Sequence, residues 1–119
     1  MEEKVMTSEE IEAFKKEQLS QTEYDELTKL FKMYADGTRL KILSALSKRS
    51  CSVNDLSYTL DMSQSAISHQ LASLKKHNLV KSHKVGLNVF YSLADSHVMT
   101  IFQQAHEHIA EECNSFHEN

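Results

Sequence analysis

The stretch VNDLSYTLDMSQSAISHQLASLKK, from Val53 to Lys76, decides the fold because it contains two helical patterns separated by only three residues. The apolar spacing predicts one short helix over residues 53–60 and a second over 64–77. The residues DMS between them form a tight turn, and Ser63 is placed to cap the second helix. Two short helices joined by such a turn are typical of a helix-turn-helix.

Two alternating β-rich segments, LVKSHK and NVFYSL, follow at residues 79–84 and 88–93. The intervening VGL provides Gly86 for a turn, so these segments predict a β-hairpin. Further helices are predicted over 23–35, 39–48 and 97–112. The expected fold class is therefore mainly α with a β-hairpin wing, a winged helix-turn-helix.

The first helices carry more detailed expectations. In the acidic extension formed by residues 1–20, Thr7 and Glu10 can form a capping box for a short or partly frayed helix. Asp36 and Gly37 are predicted to end the helix over 23–35 in a left-handed cap, with Thr38 capping the next helix. The apolar residues predicted on the inner faces of these two helices are Leu27, Leu30, Phe31 and Tyr34 in the first and Leu40, Leu43 and Leu46 in the second.

Length and composition indicate one domain, extending over residues 21–119 beyond the acidic extension. The chain has 119 residues, 40% of them hydrophobic, with no proline and two glycines. No apolar run approaches the roughly 18 residues of a membrane span, and the start MEEKVMTSEE lacks the features of a signal peptide. A cytoplasmic protein without a membrane partner is expected, and its two cysteines, Cys51 and Cys113, are expected to be reduced thiols.

The charge is unevenly distributed along the chain. The net charge is −4, yet the segment from Met62 to Ala94 contains four lysines and no acidic residue. A basic segment in an acidic protein favours one polyanion-binding surface, although a solvated helix face and hairpin would have the same composition. The candidate DNA contacts in this segment are Gln64, Ser65, Ser68 and His69 on the second helix of the motif and Lys81 and Lys84 on the hairpin.

The segments DGTRLKILSAL, VNDLSYTLDMSQSAISHQLASLKKHNLV and GLNVFYSL resemble the ArsR/SmtB family of metal-sensing bacterial repressors. The similarity extends over about residues 23–112. It implies a winged-helix homodimer, a transcriptional repressor rather than an enzyme, which binds double-stranded operator DNA and releases it when a metal binds. On that pattern Gln64, Ser65, Ser68 and His69 contact the DNA.

The stretch DSHVMTIFQQAHEHIAEE, from Asp95 to Glu112, has histidines and carboxylates at both ends. In a helix, His97 and His108 share a face but lie about 16 Å apart, too far for one ion to bridge. Antiparallel pairing of two copies would bring Asp95 and His97 of one chain to His108 and Glu111 of the other. Two imidazoles and two carboxylates suit tetrahedral Zn²⁺. The zinc sensors of the family that have a site on this helix show the same pattern, matched by Asp95, His97, His108 and Glu111.

Several alternatives to this zinc site remain open. Co²⁺ or Ni²⁺ could occupy the same ligands, Glu112 could replace Glu111, and His117 could join the site. The family's cysteine-containing site is absent, because Ser52, Val53 and Asn54 stand where its pattern has Cys-Val-Cys or Cys-Val-Gly before Asp-Leu. A repressor that responds to redox or another small-molecule signal through Cys51 is the main rival.

Two further rivals are weaker. A zinc hydrolase is disfavoured because HEHIAEE, from His106, is not an HExxH motif. A passive metal buffer would leave the recognition helix and the basic wing without a role.

Overall fold

The computed structural model describes residues 2–112, and within them the chain forms six helices and one two-stranded antiparallel sheet. The elements in chain order are α1 Ser8–Glu17, α2 Gln21–Tyr34, α3 Gly37–Lys48, α4 Val53–Leu60, α5 Gln64–Lys76, β1 Val80–Val85, β2 Asn88–Leu93 and α6 Ser96–Glu112. This order confirms the predicted winged helix-turn-helix, with α4 and α5 as its two helices and β1–β2 as its wing. Among the residues described, no helix has the length and apolarity needed to cross a bilayer.

The chain separates into two units, one ending at Phe31 and the other beginning at Lys32. In the first unit, α1 begins with the predicted capping box. The Thr7 hydroxyl accepts from the Glu10 amide at 3.2 Å, and the Glu10 carboxylate accepts from the Thr7 amide at 2.9 Å. These bonds satisfy two amides at the helix start, and the bond donated by the Thr7 amide is the main cause that lowers the pKa of the Glu10 carboxyl. Most large apolar side chains of this unit are exposed, among them Phe14 and, contrary to the prediction of an inner face, Phe31, whereas Leu30 is half-buried.

The core of the second unit is apolar. Seven large side chains are less than 2% exposed: Ile42, Leu43, Leu56, Ile67, Leu71, Leu74 and Leu79. They come from α3, α4, α5 and the residue before β1, and no polar or charged side chain is buried among the residues described. The hydrophobic effect of burying this set is therefore the main stabilising term of the unit.

The predicted core face of α3 is wrong at one position. Leu43 and Leu46 are buried as expected, but Leu40 is 38% exposed and Ile42 is fully buried. At about 100° per residue, Leu40 lies roughly 110° around the helix from the middle of the face formed by Ile42, Leu43 and Leu46. The spacing Leu40, Leu43, Leu46 fits a helical stripe, but the stripe actually buried is shifted toward Ile42.

The junction between α2 and α3 also differs from the prediction. Asp36 is not a left-handed cap but the N-cap of α3, with φ −146°, and its carboxylate accepts from the amides of Thr38 at 3.2 Å and Arg39 at 3.5 Å. Helix α3 therefore begins at Gly37, and Thr38 is already inside it. The Arg39 guanidinium donates to the carbonyls of Met33 at 2.8 Å and Lys32 at 3.2 Å. Because this side chain satisfies two of the last carbonyls of α2, no left-handed residue is needed there.

The turn of the helix-turn-helix is held by backbone and side-chain caps. Asp61 ends α4 in the left-handed conformation, with φ 53°, which aspartate tolerates better than most residues. The Met62 amide then donates to the Ser57 carbonyl at 3.0 Å, and the predicted N-cap Ser63 accepts from the Ala66 amide at 3.1 Å. The angle between α4 and α5 is thus set by local bonds as well as by the shared core.

The wing is a hairpin with a two-residue turn, Gly86–Leu87, between the paired residues Val85 and Asn88. Gly86 has φ 63°, a conformation that favours glycine and confirms its predicted role in the turn. Cys51 forms an additional antiparallel bridge with Tyr91, which ties the loop before α4 to the edge of β2. The base of the hairpin is buried at Val80 and Leu93, whereas its tip is exposed.

Tyr34 connects the end of α2 to the start of α6. Its hydroxyl donates to the Val98 carbonyl at 3.1 Å, and its side chain is 8% exposed. Burial, assisted by the negative charge of Asp95, raises the pKa of Tyr34 to about 12. The neutral phenol is therefore the form that the folded state favours.

We expect a Tyr34→Phe variant to lose about 1 kcal/mol of unfolding free energy at pH 7, since it lacks this hydrogen bond. The wild-type advantage is present below pH 10 and falls as the pH rises from 10 to 12, because the unfolded chain ionises first. Urea unfolding of both proteins between pH 7 and pH 11 measures this difference. A constant difference across that range would contradict the assigned role of the phenol proton.

Candidate nucleic-acid interface and metal half-sites

Helix α5 combines a fully buried side with an exposed polar side. Ile67, Leu71 and Leu74 are 0% exposed and fix the helix against the core. The four predicted DNA contacts of its first two turns are all exposed: Gln64, Ser65, Ser68 and His69. The structure therefore places these four side chains where a duplex could reach them, at the end of the helix whose free amides attract phosphate.

Gln64 is not isolated on this surface. Its side-chain Nε2 donates to the Oδ1 of Asn54 at 2.7 Å, a bond between the first residue of α5 and the second residue of α4. Both side chains are exposed. Asn54 is not among the predicted DNA contacts, and sequence spacing alone did not indicate it because the bond depends on the angle between the two helices.

The two predicted wing lysines lie on opposite faces of the hairpin. Lys81 and Lys84 are both exposed, but they are three positions apart in β1, where successive side chains alternate between faces. Lys84 shares its face with Ser82, whose hydroxyl accepts from the Lys75 ammonium of α5 at 2.8 Å. The structure therefore brings Lys84, and not Lys81, to the face of the wing that α5 contacts.

Lys81 instead lines a surface cavity of about 440 Å³ between the end of α3, the hairpin and the start of α6. The charged residues around this cavity are Lys48, Arg49, Lys81 and Asp95. One predicted DNA contact and one predicted metal ligand thus face the same space. A change in the charge of Asp95 would therefore alter the electrostatic energy of the Lys81 ammonium.

The start of α6 holds the first pair of predicted metal ligands. Asp95 caps the helix, its Oδ1 accepting from the Val98 amide at 3.1 Å, as its sequence position suggests. The His97 Nδ1 lies 3.5 Å from the same oxygen, and the side chains of His97 and Asp95 are 89% and 55% exposed. Two potential donors are therefore adjacent and open to solvent.

The second pair, His108 and Glu111, lies on exposed positions three turns further along the same continuous helix. Within residues 2–112 of one chain, no three His, Cys, Asp or Glu side chains are grouped closely enough to hold a metal ion. A site that uses all four predicted ligands therefore requires two chains. The side chain of Glu112, and Cys113 and His117, lie outside the residues described.

Cys51 is a buried thiol, 7% exposed, whose Sγ donates to the Arg49 carbonyl at 3.4 Å. Burial and the nearby Asp55 carboxylate raise the pKa of the Cys51 thiol, although Arg49 opposes this. A raised pKa reduces the fraction of thiolate, the form that reacts with oxidants and binds soft metals. The environment of Cys51 is thus poorly suited to redox sensing.

The fold and these side chains match known regulators. The family model described as "Bacterial regulatory protein, arsR family" matches residues 36–82, which contain the helix-turn-helix. The transcriptional repressor SmtB homolog of Synechocystis is 38% identical over 103 residues, covering 87% of this chain and 78% of that protein. This chain belongs to the ArsR family. The winged helix-turn-helix that presents Gln64 and its neighbours is accordingly the DNA-binding domain of an ArsR-family transcriptional regulator.

Two further proteins are similar to this ArsR-family chain. The cadmium resistance transcriptional regulatory protein CadC homolog of Staphylococcus aureus is 36% identical over 84 residues, covering 70% of this chain and 69% of that protein. The solution structure of a homodimeric winged helix-turn-helix DNA-binding domain from Mycobacterium bovis superposes with a TM-score of 0.70 at 26% identity, covering 80% of this chain and 90% of that one. The first of these is a transcriptional regulatory protein, and the second is a DNA-binding domain.

Proposed function

We propose that this ArsR-family chain is a zinc-responsive repressor, which binds operator DNA as a homodimer and is released when Zn²⁺ occupies a site between the two α6 helices. The observation that carries the proposal is the placement of Asp95 and His97 at one end of α6 and of His108 and Glu111 at the other. An antiparallel pair of these helices forms two equivalent sites, each with ligands from both chains.

The donor set fits the metal. Two neutral imidazoles and two carboxylates surround a divalent cation without net charge, and the exposure of Asp95 and His97 allows a second chain to approach. The Asp95 oxygen that lies near His97 also caps α6, so one ligand is already held in place. Co²⁺ and Ni²⁺ accept the same donors, and their selection depends on availability in the cell.

Coupling to DNA follows from what α6 contacts. Helix α6 packs against α3 and β2, and its Val98 carbonyl accepts the Tyr34 hydroxyl. A metal-bound pair of α6 helices therefore restricts how the two winged units are oriented. Release requires only that this orientation no longer matches successive major grooves of the operator.

The main rival, a repressor that senses redox state through Cys51, is not favoured. The thiol is buried and its pKa is raised, so it is neither accessible nor activated. Similarity to a protein named for cadmium resistance also supports a metal signal over an oxidant.

A Co²⁺ titration of the reduced protein, followed by visible absorption, tests the metal site without knowledge of the operator. We expect intense tetrahedral bands that saturate at about one ion per chain and no strong thiolate charge-transfer band. Weak octahedral bands would remove support for the site. A thiolate band would move the assignment to a cysteine.

Gln64→Ala tests the recognition helix on a duplex selected from a randomised library by the wild-type protein. A bidentate contact to adenine supplies about 1–3 kcal/mol of discrimination, so we expect roughly a 5- to 150-fold loss at one base pair. Zinc affinity should be unchanged. Gln103→Ala, an exposed glutamine on α6, is the matched control. Fluorescence anisotropy measures both, and full retention of discrimination by Gln64→Ala would contradict the proposed reading role.

A further inference from the structure

The hydrogen bond between Asn54 and Gln64 is not explained by metal sensing or by helix capping. Asn54 is an exposed residue in the first turn of α4. Its side-chain oxygen lies 2.7 Å from Gln64 Nε2. The bond joins the two helices of the motif at their exposed amino-terminal ends.

The backbone on both sides of this bond is well fixed. Ser52 caps α4 in a reciprocal capping box with Asp55, with distances of 2.9 and 3.0 Å, and Ser63 caps α5. The remaining freedom therefore lies in the side chains themselves. A free glutamine loses considerable rotamer entropy when it is ordered, and a partner within the same protein reduces the part lost on binding DNA.

Counting donors shows that the bond is compatible with base reading. The Gln64 amide has two N–H donors and one carbonyl oxygen, and Asn54 takes one of the donors. One N–H and the oxygen remain, which are the two groups that pair with N7 and N6 of adenine. When the N–H trans to the carbonyl oxygen is the one donated to Asn54, the bond orients the amide and leaves free the oxygen and the cis N–H that read the base.

We propose that Asn54 is a positioning residue, which holds the Gln64 amide in the orientation that reads an adenine in the major groove. The inference deepens the proposed function, because it assumes that Gln64 contacts the operator. It assigns to α4 a part in base discrimination through α5, in addition to packing against it.

The test is a double-mutant cycle with Asn54→Ala, Gln64→Ala and the double variant, on the selected duplex and on duplexes with each A·T pair replaced. We expect Asn54→Ala to lower discrimination about fivefold, as for one net hydrogen bond, only at the base pair affected by Gln64→Ala. The double variant should lose no more than Gln64→Ala alone. The affinity of Asn54→Ala for non-specific DNA and its melting temperature should stay at the wild-type values.

Asn54→Asp provides a conservative rescue, because it retains an oxygen acceptor for Gln64. We expect it to bind all duplexes more weakly, since it adds a negative charge near phosphates, while the discrimination ratio stays near the wild-type value. A merely structural role for Asn54 would not produce this separation between affinity and discrimination.

Three results would overturn the inference: additive effects of the two single substitutions, a uniform loss across all duplexes in Asn54→Ala, or no effect of that substitution. Failure of the wider function is distinguishable, because wild-type protein would then select no duplex. In that case ¹⁵N relaxation of the Gln64 side-chain amide in the free protein decides the positioning role. We expect a higher order parameter than that of Gln103, falling in Asn54→Ala, and equal values would reject it.

Discussion

His97→Ala should abolish zinc-induced release from DNA while leaving affinity for the selected duplex within about twofold of wild type. The side chain is 89% exposed and supports no part of the core, so its loss removes a metal donor without disturbing α5. Removing one of four ligands should weaken zinc binding by roughly 100-fold or more, because the binding free energy depends on the number of ligands. His108→Ala should behave in the same way. Competition with a chromophoric chelator measures zinc affinity, and anisotropy measures release.

His106→Ala is the matched control, since it removes an exposed histidine of α6 that is not a predicted ligand. We expect it to bind and respond to zinc normally. If His97→Ala and His106→Ala are released equally well by zinc, the four-ligand assignment is wrong.

Mixing the His97→Ala and His108→Ala variants distinguishes a zinc site formed between two chains from one formed within a single chain. A heterodimer of His97→Ala and His108→Ala chains has one site that lacks both histidines and one that keeps its full ligand set. Refolding an equal mixture should therefore restore tight zinc binding to the heterodimer fraction, at one ion per heterodimer. A site within one chain would be restored in neither.

Leu71→Ala should be among the most destabilising single substitutions, costing about 2–5 kcal/mol of unfolding free energy. Leu71 is 0% exposed in the middle of α5, so truncation leaves a cavity directly beneath the exposed recognition face. Since small domains are stable by only about 5–15 kcal/mol, a large part of the folded population could be lost on warming. Urea unfolding followed by circular dichroism measures the change.

Leu40→Ala is the matched control because it makes the same chemical change at a leucine that is 38% exposed. It should cost roughly half as much or less, since part of the side chain is already in water. Equal losses of unfolding free energy at Leu40 and Leu71 would contradict the partial exposure of Leu40, and with it the position of Leu40 outside the core.

The helix-turn-helix and the wing could be predicted because their signals are local. Ser63 caps a helix that starts beside it, and Gly86 adopts the positive φ that its turn requires. The start of α3 was predicted wrongly because Asp36–Gly37 can either end one helix or begin the next. The side chain of Arg39 favours the second arrangement, because it donates to the carbonyls of Met33 and Lys32, six and seven residues earlier in the chain.

For the candidate site, the sequence indicates residue types but little of their arrangement. Asp95 caps α6 through a bond to the Val98 amide three residues away, which is a local contact. The opposite faces of Lys81 and Lys84 follow from strand alternation once the bounds of β1 are known. The bond from Gln64 to Asn54 depends on tertiary geometry, and the pairing of α6 with its copy remains a prediction.

The uninterrupted course of α6 from Ser96 to Glu112 has a consequence for how its gene can change. Inserting one residue between His97 and His108 would rotate the second ligand by about 100° and remove it from the shared face. Seven added residues would restore the angular phase to within about 20°. In an antiparallel pair both helices lengthen together, so the ends would still meet. The proposed site would therefore be sensitive to the angular phase between its ligands along α6 rather than to the length of the helix. Short insertions between the two histidines should reduce zinc binding far more than most substitutions of exposed residues there.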